Sequence, residues 1–127
     1  MFPGYPGTLD LGQVQSARSN VPLITSRTVS FDTGRNAIAI MGPERAAQKW
    51  HVTRMVTNAG LSNDFITLIV YRNFATPTNI LDSTKAGVQA TSETDLNLLE
   101  GEKMIFAWAG GTPNTPAIMI VNGEIYY

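Results

Sequence analysis

Residues 98–127, LLEGEKMIFAWAGGTPNTPAIMIVNGEIYY, decide the fold of this chain. A Glu-Gly-Glu turn precedes one apolar run, and a loop rich in Gly, Pro and Thr separates that run from a closing one. Along 104–109 large side chains alternate with their neighbours, which is the two-residue period of a pleated strand and not the 3.6-residue period of a helix. The stretch therefore predicts two strands that form a hairpin. It also predicts that both faces of the first strand are largely covered.

The remainder of the chain follows the same pattern. Strand-like runs recur at intervals of about 8 to 12 residues, as in sandwiches and barrels, and they lie at 23–31, 37–41, 50–57, 65–74, 79–81, 88–91, 95–99, 103–109 and 117–127. Only 42–48 offers a helical turn, and no segment keeps a helical apolar period over a dozen residues. We predict an all-β fold, an antiparallel β-sandwich that is jelly-roll-like, over residues 21–127.

The alternation also predicts which side chains face the interior and which turns use glycine. Asp32-Thr-Gly34 and Asn58-Ala-Gly60 place glycines where a turn needs a positive φ. The predicted core consists of Trp50, Val52, Val56, Ile66, Leu68, Val70, Phe106, Trp108, Ile118 and Ile120.

Residues 1–20 predict an extended N-terminal arm. This segment contains two prolines and three glycines, and proline cannot donate to a strand ladder. A disordered terminus is one interpretation of such a segment. The other is an arm that lies across a neighbouring subunit, with Phe2, Tyr5, Leu9 and Leu11 as the inter-subunit contacts.

The composition excludes several classes of function. Charged residues make up 15% of the 127, below the roughly 25% of ordinary soluble domains, and nine Lys and Arg face ten Asp and Glu. No basic run tracks a phosphate backbone, so no nucleic-acid partner is expected. No stretch of ~18 apolar residues predicts a membrane span. The absence of cysteine excludes disulfides and thiolate metal sites.

Candidate catalytic groups are few, and none forms a recognisable constellation. His51 is the one histidine, and we place it on the strand face opposite Trp50, Val52 and Val56. No Gly-x-Ser-x-Gly elbow supplies a nucleophile for it. A zinc site would need scattered carboxylates as its other ligands. We therefore expect no enzyme, no catalytic residue, no cofactor and no metal.

Two carboxylate pairs have the spacing of neighbours on one strand face, namely Glu93 with Asp95 and Glu100 with Glu102. Paired carboxylates serve glycoside hydrolysis or calcium binding, but both pairs lie beside turns, where solvated charge belongs. Trp50 and Trp108 are expected to anchor the core. If one of them, or Tyr126 and Tyr127, lined an open groove instead, it would form a platform for a sugar ring.

Three features together resemble small accessory virion proteins of tailed bacteriophages, over residues 48–123. These are the Trp50 strand, the FITLIVY strand at 65–71 followed by ILDST at 80–84, and the closing LLEGEK segment that leads to WAGGTP at 108–113. The resemblance implies a jelly-roll or related sandwich, a symmetric oligomer and no catalytic residues.

The resemblance implies a non-enzymatic virion structural protein, a capsid decoration or cement protein that stabilises the particle through oligomer and arm contacts. Its expected partners are copies of itself and other virion proteins, either major capsid or tail proteins. Its expected location is the virion, after assembly in the host cytoplasm. The alternative is a minor tail or tail-tip protein whose sandwich binds a host-surface glycan during adsorption.

Overall fold

The computed structural model describes residues 20–84 and 88–127, which form eight strands and one short 3-10 helix. The first 19 residues, and with them the predicted arm, lie outside the described part. The elements in chain order are β1 (Asn20–Ser30), β2 (Asn36–Met41), β3 (Lys49–Ala59), β4 (Thr67–Arg72), the 3-10 helix (Pro77–Asn79), β5 (Ile80–Thr84), β6 (Gln89–Leu98), β7 (Met104–Ala109) and β8 (Pro116–Tyr126).

The strands form two four-stranded antiparallel sheets, which confirms the predicted all-β sandwich. The first sheet has the order β1-β8-β3-β6 and the second the order β2-β7-β4-β5. Successive strands thus alternate between the sheets, except that β4 and β5 are neighbours in one sheet. This is the double-sheet arrangement of a jelly roll.

The hairpin predicted for 98–127 is wrong, although both of its strands exist. β7 pairs with β2 and β4, whereas β8 pairs with β1 and β3 in the other sheet. The loop between them therefore crosses from one sheet to the other. Local alternation indicates a strand, but it contains no information about which distant strand completes the ladder.

The core lies between the two sheets. It contains most of the residues that were predicted to be buried. Trp108, Phe106 and Val52 are fully covered, and the ring centroids of Phe106 and Trp108 are 6.1 Å apart. Other predicted members that are buried are Trp50, Ile66, Leu68 and Val70. Burying the side chain of such a residue contributes about 1.5–3 kcal/mol.

Val56 was predicted to be in the core, but a β-bulge turns it outward. The register of β3 against both neighbours shifts between Val52 and Arg54. One extra residue reverses the alternation, so Met55 and Thr57 are buried and Val56 is only half-buried. A bulge carries no apolar signal, so alternation within the sequence WHVTRMVT predicts the wrong face.

Ile118 and Ile120 are likewise not core residues. Ala117, Met119 and Val121 of β8 are fully covered, whereas the two isoleucines are half-buried on the outer face. Because both faces of β8 are apolar, periodicity alone does not distinguish them. The central position of β8 between β1 and β3 covers part of the outer isoleucines as well.

The turns agree with the sequence in part. Gly60 has φ 67°, as predicted, whereas in the first turn the positive φ of 68° belongs to Arg35 and not to Gly34. The segment 42–48 contains one turn, closed by a 3.0 Å hydrogen bond from the amide of Gln48 to the carbonyl of Arg45. No helix of the described residues has the length and apolar character needed to cross a membrane.

Candidate assembly surface

The outer face of the second sheet carries two apolar rows that cross its strands. Cross-strand register places Ile40, Ile105, Tyr71 and Ile80 in one row. The adjacent row contains Ile38, Ala107, Ile69 and Ser83. We call the apolar members of these rows the apolar face: Ile38, Ile40, Ile69, Tyr71, Ile80, Ile105 and Ala107.

The apolar face is open to solvent. Ile38, Ile40 and Ile80 are 58%, 43% and 45% exposed. Ile105 is only 9% exposed although it points away from the core, because it lies between Ile40 and Tyr71 in the register. Neither row contains a charged residue. Exposed apolar patches are candidate interaction sites in soluble proteins.

The outer face of the first sheet differs because it carries charged side chains beside the apolar residues Val56, Ile118 and Ile120. The Arg54 Nε lies 3.6 Å from the Glu93 Oε2, and Arg54 is paired in the register with Asn122, beside Ile24. His51 and Asp95 lie on the same face, beyond Arg54 and Glu93 along β3 and β6. The molecule therefore places charge on one face and leaves the other uncharged, which makes the second sheet the candidate contact surface.

His51 lies on the outer face of the first sheet, as predicted, and is half-buried there. Its Nε2 lies 2.6 Å from the Asp95 Oδ1, and the Asp95 side chain is 86% exposed. The hydroxyl of Thr53, two residues further along β3, donates to the carbonyl of Asn122 at 3.4 Å. A polar contact between two such exposed side chains contributes about 0–1 kcal/mol.

The two carboxylate pairs do not act as pairs. Glu93 contacts Arg54 and Asp95 contacts His51, so the members of the first pair have different partners. Glu100 accepts a hydrogen bond from the Ala47 amide at 3.0 Å. Within residues 20–84 and 88–127, no three His, Cys, Asp or Glu side chains form a group that could hold a metal ion.

Glu102 holds together the end of the sandwich where β4 and β7 meet. Its Oε1 accepts hydrogen bonds from the Leu99 amide and the Arg72 Nη2, each at 2.8 Å, and its Oε2 accepts from the Asn73 Nδ2 at 3.3 Å. The Leu99 hydrogen bond, followed by those of Arg72 and Asn73, lowers the pKa of Glu102 below its ordinary value of 4.5. Sequence spacing gave no hint of this role.

The opposite end is held by Asp64, which fixes the 110–116 loop. Its carboxylate accepts the amide and the hydroxyl of Thr112 at 3.0 and 2.9 Å and the Leu61 amide at 2.9 Å. The Leu61 hydrogen bond is the main cause of the lowered pKa of Asp64. The Gly/Pro/Thr loop is thus a strand connection, and its shape depends on a residue 48 positions earlier.

The aromatic residues considered for a sugar platform do not form one. Trp50 and Trp108 are 8% and 1% exposed, so both anchor the core as predicted. The Tyr126 hydroxyl donates to the Glu124 Oε1 at 2.8 Å, which raises the pKa of the phenol. Only Tyr127 is exposed. The predicted arm contacts Phe2, Tyr5, Leu9 and Leu11 lie outside the described residues.

The sequence contains a pattern that fits the apolar face, but this pattern alone does not identify the face. β2, β4 and β7 are apolar at inward and outward positions alike, as in NAIAIM and TLIVYR. An outward isoleucine in a two-sided apolar strand is typical either of a strand covered by another layer or of an exposed contact surface. Sequence alone does not separate these cases, because the number of layers is a tertiary property.

Comparison with known proteins shows a fold likeness and no family. No family model matches the chain, and no curated protein matches it. The structure is similar to that of the Yersinia pseudotuberculosis-derived mitogen, with a TM-score of 0.50 and 16% identity over 81% of this chain and 86% of that one. A second similar structure is Aeromonas hydrophila PliG, a periplasmic inhibitor of g-type lysozyme, with a TM-score of 0.41 and 14% identity over 82% and 86%. These likenesses concern the fold alone.

Proposed function

We propose that this chain is a non-enzymatic structural protein of a bacteriophage virion, a capsid decoration or cement protein that binds copies of itself and other virion proteins. The observation that supports this proposal most is the apolar face, because a four-stranded uncharged surface is costly to leave in water. The resemblance to small accessory virion proteins supplies the setting, which is the particle assembled in the host cytoplasm.

The absence of charge on the face favours a second copy as its first partner. A partner recognised by charge would require complementary charges on this surface, and its rows contain none. Two copies related by a twofold axis bring the same apolar rows together. The buried isoleucines then add hydrophobic stabilisation that a monomer lacks.

The small size of the face supports a contribution from the arm to the proposed contact. Four strands spaced ~4.8 Å apart, each about six residues long at ~3.3 Å per residue, cover roughly 400 Å² per copy. Two such faces bury about 800 Å², less than the ~1,200 Å² at the lower end of stable interfaces. The 19 residues before β1 span up to roughly 60 Å when extended, which is enough to cross a neighbouring domain and enlarge the contact.

The proposal is tested first by location. Particles purified from the source culture should contain the chain in a fixed ratio to the major capsid protein, and particles that lack it should lose their contents at a lower temperature. Absence of the chain from intact particles would refute the virion assignment.

The contribution of the arm is tested with a chain that lacks residues 1–19. The described sandwich begins at Asn20, so this truncation should leave the thermal unfolding of the domain intact while it decreases both oligomer size and incorporation into particles. If oligomer size and incorporation are unchanged, the inter-subunit role of Phe2, Tyr5, Leu9 and Leu11 is wrong.

A further inference from the structure

A cavity of about 310 Å³ lies between the two sheets on the side where β5 and β6 are the edge strands. It is distinct from the apolar face, which lies on the outside of the second sheet. The described residues that line it are Met55, Thr57, Leu68, Val70, Asp82, Ser83, Thr84, Ala90, Thr91, Ser92 and Phe106.

The cavity exists because the inward positions of the two edge strands are small or polar. Asp82 and Thr84 of β5 are paired with the core residues Val70 and Leu68. Ala90 and Ser92 of β6 are paired with Thr57 and Met55. Elsewhere the same layer is filled by Leu, Met and Trp. The sandwich is therefore underfilled on one side, and the unfilled volume has hydroxyl and carboxylate groups in its wall.

The wall chemistry selects among ligand classes. Asp82 is the single ionisable residue among the described lining residues, and its Oδ1 already accepts the Ser83 amide at 2.8 Å. A wholly apolar ligand would bury this carboxylate without compensating donors, which is costly. A hard cation such as Ca²⁺ requires six to eight oxygen ligands and usually several carboxylates. A ligand with neutral hydroxyl donors and an apolar ring face satisfies both parts of the wall.

We propose that this cavity binds one unit of a polyhydroxylated ligand, a single sugar ring of a glycan or the free monosaccharide. Asp82 accepts hydrogen bonds from ligand hydroxyls, and the hydroxyls at the inward positions Thr84 and Ser92 of the two edge strands complete the polar contacts. The C–H face of the ring lies against the apolar floor formed by Met55, Leu68 and Val70. A volume of 310 Å³ is at the lower limit of small-molecule sites, roughly 300–1,000 Å³, which favours one ring over a longer oligosaccharide.

The proposed sugar site does not depend on the assembly function. If the chain binds a glycan, as in the alternative function, this cavity is the binding site, and the aromatic residues Trp50, Trp108, Tyr126 and Tyr127 are not. At about 0.3 kcal/mol per non-hydrogen atom, a ligand of about twelve such atoms binds with a dissociation constant on the order of millimolar. Useful affinity for a surface would then come from many copies on one particle.

The test is a nuclear magnetic resonance titration of the full chain with a panel of free neutral hexoses, 6-deoxyhexoses and N-acetylhexosamines. At least one sugar should shift the amide signals of Asp82, Thr84 and Ser92 in a saturable manner. A glycan array then distinguishes a ring within a glycan from the free sugar. No saturable shift with any sugar, at about ten times the expected dissociation constant, would overturn the proposal.

Three variants sharpen the result. Asp82→Asn, which preserves shape, should weaken binding at least about tenfold, because hydrogen bonds to a charged acceptor are the strong ones. Ala90→Leu, which fills the cavity, should abolish binding while the fold persists. Ile24→Ser, at an exposed position outside both the cavity and the apolar face, should bind as the unmodified chain does.

Two outcomes contradict the proposal even if shifts occur. One is sugar binding that survives in Ala90→Leu, since the site would then lie elsewhere. The other is that a peptide of residues 1–19, and no sugar, shifts the signals of Asp82 and Ser92, since the cavity would then receive the arm. Failure of the assembly tests leaves this titration unaffected, so the two proposals fail separately.

Discussion

Replacing Ile38 and Ile40 together by serine should convert an associating chain into a monomer at concentrations where the unmodified chain is oligomeric. The two side chains are 58% and 43% exposed, so the pair presents about as much apolar surface as one wholly exposed isoleucine. Burying that surface contributes about 1.5–3 kcal/mol per copy. A twofold interface uses the pair twice, so the double variant should lose about 3–6 kcal/mol of association free energy. This corresponds to a dissociation constant increased by roughly a hundredfold to ten-thousandfold.

The matched control is Ile24→Ser. Ile24 is 79% exposed on the outer face of the first sheet, where its neighbour in the register is Asn122. It presents more apolar surface than Ile38 does, but it lies on the other sheet, beside Asn122 and the charged pair Arg54 and Glu93. This variant should therefore associate as the unmodified chain does.

Sedimentation velocity over a concentration series measures both variants, and thermal unfolding at the lowest concentration checks that each is folded. The assembly role of the apolar face is refuted if the double variant associates like the unmodified chain. It is refuted equally if Ile24→Ser weakens association as much as the double variant does, or if the unmodified chain stays monomeric throughout the series.

Two further predictions concern stability. Glu102→Gln should decrease the free energy of unfolding by about 1–2 kcal/mol at neutral pH, because the hydrogen bonds from Leu99 and Arg72 lose their charged acceptor. The control Glu93→Gln, at an exposed ion pair, should change the free energy of unfolding by less than about 0.5 kcal/mol. Equal losses for the two variants in urea titrations would contradict the role assigned to Glu102. Since the folded pKa of Glu102 is below 4.5, its contribution is present above that pH and is lost as pH falls through the folded pKa, so the two curves should converge in acid. Gly123→Ala should lower the melting temperature by several degrees, because the added Cβ would clash with the His51 carbonyl oxygen and push β3 away from β8. In the control Gly34→Ala the added Cβ meets only side-chain atoms, at 3.3 Å or more. This variant should unfold like the unmodified chain.

The sequence located nearly every strand, but it misjudged how they connect. The predicted runs at 88–91 and 95–99 are one strand, β6, and the predicted hairpin joins two different sheets. Alternation depends on the local pleat, so it identifies a strand wherever the strand pairs. Pairing in this fold joins residues as far apart as Asn20 and Tyr126, and no local pattern carries that information.

The candidate site was predicted even less completely than the fold. Its location required the register that aligns Ile40, Ile105 and Tyr71 across three strands. The cavity likewise depends on Asp82 facing a core layer, which the short run at 79–81 did not predict.

By itself, the order of the residues determined that the chain forms antiparallel strands around an apolar interior, because a two-residue period buries one face of each strand wherever it is placed. It also determined that no thiol chemistry takes part, since the chain has no cysteine. Tertiary structure alone decided which faces of β3 and β8 are buried, through a bulge and a position at the centre of a sheet. It alone decided that the outward isoleucines of separate strands form one surface, since only pairing brings distant residues into one row.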